Sequence, residues 1–376
     1  MIAGLVAASL LAIVWSLDAE QAVIVGARLV MFVGGLLVVW RALDERVNAL
    51  SIVADASLLW VALQSVLTVA FRLDPSVEAA FYASPAMVPL LGSTGLALTG
   101  EAANNVIDPE KAGGLIVNGN AASLLLGISA VSLLAANAVG PRIRFRLVGL
   151  TAFAAVFFTG SKTGAVLAVI VPLVVVALRR AARSRSGRRE LVVLAPFAAI
   201  AAILLPTVLQ RVFPVFSTKS EFSFDTRMRL WGAALDLFRE NPILGLGFGG
   251  WKPAMERLIG RSDWPPHNVV ISAWADAGLV AAALTVAFIA ITLGLGLRRL
   301  MLVPESPGDL TARCWAWSGM LWVFSHGMGD NTSVYGEPRS LMLAATLFCV
   351  SLWPSSMPSP PVPSRRSALT QEHLPA

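Results

Sequence analysis

The chain is dominated by apolar runs. About 20 helical residues cross the roughly 30 Å hydrocarbon layer of a bilayer, and this repetition limits the fold more than any motif does. The runs lie near residues 1–17, 22–40, 50–71, 115–139, 147–160, 163–178, 191–209, 270–297, 312–329 and 338–353. They are continuous and rich in Leu, Val and Ala, whereas the strands of an outer-membrane barrel alternate over short segments. Only 14% of the 376 residues are charged and 56% are apolar, against roughly a quarter charged in a soluble domain. One anchor could not move the average of so long a chain. The sequence therefore predicts an all-α polytopic transmembrane bundle of about ten to twelve spans and excludes a water-soluble enzyme. The first run lacks a basic n-region and a small-x-small cleavage site, so it reads as a retained span. Cys314 and Cys349 both sit in apolar runs, which leaves neither a disulfide framework nor a zinc site.

Charge placement gives the sidedness. The net charge is +6, but the basic residues cluster between the runs. The segment RRAARSRSGRRE, residues 179–190, holds six Arg against one Glu and should face the cytoplasm. Propagated from there, Arg41 and Arg46, Arg142, Arg144 and Arg146, Arg298 and Arg299, and Arg365 and Arg366 fall on the same face, with both termini inside. The basic excess thus describes topology and gives no reason to expect nucleic acid as a partner. Two long segments remain for the outer face, residues 72–114 and 210–269. Loops of that length are usually functional or disordered, and neither has a disordered composition. Ala79 to Leu98 is moderately apolar but broken by Pro85, Pro89, Gly92 and Gly95, the pattern of a re-entrant or interfacial element. Residues 1–353 read as one transmembrane domain, and the Pro- and Ser-rich 354–376 as a disordered cytoplasmic tail.

Two glycine motifs fail as nucleotide sites. GLGFGG, Gly245 to Gly250, matches G-x-G-x-x-G, but that fingerprint works only after a strand within a βαβ unit. GSKTG, Gly160 to Gly164, lacks the first Walker glycine because position 156 is Val. What it supplies is a cation, Lys162, and two hydroxyls at the outer tip of a tight hairpin. In DTRMRLWGAALDLFRENP, Trp231, Ala234, Leu235 and Phe238 recur at helical spacing, with Asp225 or Thr226 as N-cap. Arg227 lies one turn before Trp231 and so on the inward stripe, whereas Arg229 projects away. A planar, permanently charged group beside an apolar stripe suits a phosphate or diphosphate. In WPPHNVVISAWADAG, Pro265 and Pro266 hold off the helix, placing His267 and Asn268 at its N-terminus. The positive dipole end favours a neutral imidazole, which can accept a proton. A capping His packed on Trp264 is the structural alternative.

Within the spans Arg28 and Asp55 are the costly residues. They lie about 9 Å from the outer face and about 8 Å from the inner face, too far apart to pair. Arg28 is expected to face an outer cavity. His326, Asp330, Glu337 and Arg339 gather at the outer end of the last two spans.

An [S][KR]-T-[GA] hairpin, an R-x-x-x-W helix running into N-P-x-x-G-x-G-x-G, and H-N-x(7)-[DE]-x-G-[LI] opening a span occur here in that order. The pieces are Ser161 to Gly164, Arg227 to Trp231, Asn241 to Gly250, and His267 through Asp276 and Gly278. Over residues 150–300 the chain resembles the O-antigen ligase and polysaccharide polymerase superfamily. The resemblance implies a GT-C-like, metal-independent and cofactor-free glycosyltransferase of the bacterial inner membrane, with its active site on the periplasmic face. It would move a glycan from undecaprenyl diphosphate to an acceptor hydroxyl, on another glycan or on lipid A-core. It also implies that Lys162, where the family usually has Arg, and Arg227 bind the diphosphate, and that His267 deprotonates or orients the acceptor. Asn268, Arg229, Trp231, Trp264, Arg28 and His326 are the further candidates for substrate contact. Asp276 falls on the helix face opposite His267. The rival readings are a flippase for lipid-linked oligosaccharides, which would need paired mid-membrane charges and related halves, and a non-catalytic envelope partner. The topology is tested by reporter fusions: alkaline phosphatase joined after Arg185 should be inactive and after Arg261 active, and the opposite pattern would refute the sidedness.

Overall fold

The computed structural model describes residues 1–84, 110–190, 192–193, 214–260, 264–302, 306–330 and 332–354, without the side chains of 214–225. Its helices are α1 (Ile2–Leu11), α2 (Ala19–Asp44), α3 (Ala49–Leu73), α4 (Pro75–Tyr82), α5 (Gly119–Val139) and α6 (Ile143–Phe158). They continue with α7 (Lys162–Arg183), α8 (Pro214–Glu240), α9 (Trp251–Ile259), α10 (Val269–Leu302), α11 (Pro307–Gly327) and α12 (Leu341–Leu352). Five of these, α2, α3, α5, α7 and α10, are long and apolar enough to cross a membrane. Among the described residues the fold is all-helical, that of a helical membrane protein. The span expected at 191–209 falls outside the described residues apart from 192–193, as do most of the element expected at 79–98 and the tail from 355.

Helix α5 is the axis of the bundle and packs against α3, α6, α7 and α11. Sixteen of its residues are buried, among them Gly119, Ala122, Ser123, Gly127, Ser129, Ala130 and Ser132. Lipid tails are as apolar as Leu, so helices in a bilayer associate through close packing, which small side chains permit. At Gly127 the approach is closest: a Cβ there would stand 2.0 Å from the indole of Trp322, itself fully buried in α11.

The two costly charges part company, as their depths require. Asp55 on α3 pairs with Arg142 at 2.5 Å and Arg144 at 2.6 Å, where α6 begins. Both guanidinium groups rest over the Phe145 ring. Arg28 instead lies where its charge acts on Tyr335 and Glu337.

Helix α10, expected as an uninterrupted span, is broken at Ala277 and Gly278, where φ reaches +81° at Gly278. Backbone groups freed at such a break cannot be left facing lipid. They are met by the loop after α8: Leu246 N–H donates to Ala275 C=O at 2.8 Å, and Leu279 N–H donates to Ile243 C=O at 2.9 Å. A Cβ on Gly278 would come within 2.2 Å of Ile243 O, and one on Gly245 within 2.0 Å of Trp274 O. The same loop seats the α1–α2 turn. Leu17 and Asp18 N–H both donate to Phe248 C=O, Phe248 N–H donates to Ser16 Oγ, and the Trp15 indole donates to Leu244 C=O. The Gly245 to Gly250 run is therefore a connector between three helices, and hydropathy could not reveal the break because Gly278 sits in a run that reads as ordinary span.

Overpacking a well-filled core costs about 1–3 kcal/mol or more. Gly127→Val and Gly278→Val should each lower the melting temperature in detergent and reduce the monodisperse peak in size-exclusion chromatography. Unchanged melting for both would contradict this packing.

Candidate functional site

Three separate pieces of chain bring the chemistry to one end of the bundle. The first is the α6–α7 hairpin. Ser161 caps α7, its Oγ accepting from Gly164 N–H at 3.2 Å, and Lys162 is the first helical residue. Its ammonium thus sits beside the positive end of a 22-residue helix, where backbone N–H groups are already disposed toward an anion.

The second piece is α8. It begins at Pro214, so Asp225 and Thr226 lie inside the helix and do not cap it. Its buried stripe is Leu230, Ala233, Ala234 and Leu237, with Trp231 and Phe238 partly buried against the same cluster. Leu235, expected inward, is 60% exposed. The shift is small because Ala234 and Leu237 flank the expected line, and Arg227 keeps its inward aim. Arg227 is half-buried and Arg229 exposed, as the spacing predicts. Burial pulls the Arg227 guanidinium below its ordinary range, and the charge of Asp330 pulls it back.

The third piece is the entry to α10. The Trp231 indole donates to Pro266 C=O at 3.2 Å and the Trp251 indole to Trp264 C=O at 2.8 Å, clamping the Trp264–Pro266 segment from two helices. His267 then adopts φ +50°, a left-handed backbone that a non-glycine residue holds only when its surroundings enforce it. Asn268 caps α10, its Oδ1 accepting from Val270 and Ile271 N–H at 2.9 and 3.2 Å, while its Nδ2 reaches Met328 C=O at 3.5 Å. The side chains of Trp231 and Asn268 are thus engaged in placing His267.

Asp330, just beyond α11, ties these pieces together. Its Oδ1 lies 3.4 Å from His267 Nδ1 and its Oδ2 3.8 Å from His326 Nδ1. His326 is fully buried and its Nε2 lies 2.9 Å from Ser123 Oγ on α5. Asp330 thus stands between the two imidazoles.

A cavity of about 1210 Å³ opens among these elements, and Lys162, Arg227, His267, Trp264 and Arg28 all line it. Lys252 and Lys111 add two cations, and Glu110, Asp276, Asp330 and Glu337 supply four carboxyl groups. Leu5, Val25, Leu29, Ala277 and Ala281 line its apolar part. Arg229, Trp231, Asn268 and His326 do not line it. Arg28 and Tyr335 both line the cavity, and Arg339 pairs with Glu337 at 3.2 Å. Burial pushes both the Tyr335 phenol and the Glu337 carboxyl up, the latter opposed by Arg339 and Arg28. Among the described residues, no three His, Cys, Asp or Glu side chains converge as metal ligands would.

Sequence reasoning missed Glu110 and Lys111, which stand in no motif, and saw in Asp330 only a member of an outer cluster. Its i, i+4 spacing from His326 was the one available signal. Asp276 does not touch His267, yet both open on the same cavity. His267 precedes the helix, so helical phase does not govern where it points.

No curated protein matches the chain. Residues 147–286, which hold Lys162, Arg227, His267 and Asp276, match the sequence model of the O-Antigen ligase family, and over that segment the chain is similar to the O-antigen ligase and polysaccharide polymerase superfamily.

Proposed function

We propose that this protein transfers a glycan from undecaprenyl diphosphate to an acceptor sugar hydroxyl, on lipid A-core or on another repeat unit, at the periplasmic face of the bacterial inner membrane. In this reading residues 1–353 form one transmembrane domain of about ten spans, in which the shorter helices complete the crossings made by the long ones, and residues 210–269 carry site residues on the outer side. The observation that carries the reading is the convergence, on one cavity, of Lys162 and Arg227 with the His267–Asp330 pair.

The chemistry follows from those groups. The acceptor oxygen attacks the anomeric carbon and forms the new glycosidic bond while the bond from that carbon to the diphosphate oxygen breaks. The acceptor proton passes to the free Nε2 of His267. Asp330, on the Nδ1 side, holds the ring and stabilises the imidazolium that forms. Negative charge grows on the departing diphosphate, and Lys162, Arg227 and the N-terminal amides of α7 are fixed where that charge appears, so they need not reorganise during the reaction. Lys162 contributes a point charge and Arg227 a planar fork, so Arg227 sets the orientation of the phosphates and Lys162 mainly neutralises them.

Complementation of a deletion strain, scored as lipopolysaccharide and exopolysaccharide ladders, tests the assignment. Lys162→Ala, Arg227→Ala and His267→Ala should each reduce transfer by about 10²-fold or more while the protein stays in the membrane. Normal ladders from the Arg227 and His267 variants would refute the catalytic reading. Asp330→Asn should lower turnover by about 10²-fold and leave donor binding intact, with partial recovery in Asp330→Glu. Equal loss of donor binding and turnover in both would reduce Asp330 to a purely structural role.

A further inference from the structure

Among the described carboxyl groups that line the cavity, Asp276 is the one carried by a membrane-length helix, and the proposed chemistry does not use it. Asp276 projects from α10 about two and a half turns below His267, roughly 13 Å along the helix axis. It stands one residue before the break at Ala277 and Gly278. A carboxylate at such a depth is costly unless paired or facing a polar cavity. The other acid within a span, Asp55, is held by two arginines. Asp276 forms no hydrogen bond or ion pair with any described residue. The Arg28 side chain lines the same cavity, but its charge acts on Tyr335 and Glu337.

The surrounding wall leaves room for a ligand. Ser272, Ala273, Ala277 and Ala281, which line the cavity with Asp276 from α10, are all small. An ionised carboxyl is an acceptor only, with about four lone-pair sites, so it selects a ligand rich in hydroxyl donors. It also repels a diphosphate, which belongs with Lys162 and Arg227. We propose that Asp276 is a sugar-binding residue, its carboxylate accepting hydrogen bonds from hydroxyls of the donor or acceptor glycan while the diphosphate is held by the cations. The inference rests on the glycosyl-transfer reading above and adds to it a contact to the sugar.

Binding to purified full-length protein in nanodiscs separates the possibilities. The probes are undecaprenyl diphosphate bearing the host's repeat unit, bare undecaprenyl diphosphate, and two free oligosaccharides from the same host, the delipidated core and the repeat unit. Wild type should bind the glycan-bearing lipid more tightly than the bare lipid. In Asp276→Ala, binding of the glycan-bearing lipid or of a free oligosaccharide should weaken about 10-fold or more, the loss expected for hydrogen bonds to a charged group, while bare-lipid affinity stays unchanged. A loss confined to the glycan-bearing lipid assigns the contact to the donor, and one confined to a free oligosaccharide assigns it to the acceptor. Asp276→Asn, which keeps one acceptor oxygen and the side-chain shape, should fall between. Wild-type affinity for every sugar-bearing probe in both variants overturns the inference alone. Equal weakening of bare-lipid binding makes Asp276 structural and also overturns it. Failure of the wild type to bind either lipid overturns the diphosphate reading and the inference with it.

Discussion

The exchange of backbone hydrogen bonds between the broken helix α10 and the glycine loop after α8 is the interaction on which the arrangement depends. Alone, α10 would present unsatisfied amides and carbonyls inside a bilayer, which is prohibitive. The loop can satisfy them only by coming closer than side chains allow, hence glycine at 245 and 278. Having docked there, the same loop also holds the α1–α2 turn through Phe248. One connection thereby fixes the walls carrying Arg28, Arg227 and Asp276 relative to one another.

The other half of the site is positioned from the bundle axis. Helix α5 is packed on small residues, which brings α11 close enough for Ser123 to meet His326. Asp330 in turn stands between His326 and His267. This chain of contacts runs from the most buried helix to the group proposed to take a proton. The two indoles that clamp Trp264 and Pro266 act from the opposite side. The left-handed backbone of His267 is the expected result of a residue held from both sides.

The cavity is not a simple basic trap. Its five cations, Arg28, Lys111, Lys162, Arg227 and Lys252, face the carboxyl groups of Glu110, Asp276, Asp330 and Glu337. Lys162 stands at the hairpin and Arg227 on α8, one acid faces a histidine, another pairs with Arg339, and Asp276 has no ion-pair partner among the described residues. A ligand with a doubly charged head and a neutral polyhydroxyl body would match that division, which a uniform basic patch would not select.

Local chemistry made much of this legible beforehand. Hydropathy marked the helices because crossing a bilayer demands continuous apolar runs. Helical spacing turned Arg227 inward and Arg229 outward, and the Pro-Pro pair placed His267 ahead of a helix. Those are properties of short stretches of chain, decided by sterics and periodicity. Asp330 as the partner of His267, the assignment of Trp231 and Asn268 to support, Lys111 and Asp276 on the cavity wall, and the break in α10 arise from segments far apart in sequence. Each depends on which helices pack together and how closely. Only the assembled bundle sets those distances, because a backbone group freed by a break, or a carboxylate left without a partner, acquires its meaning from the atoms opposite it.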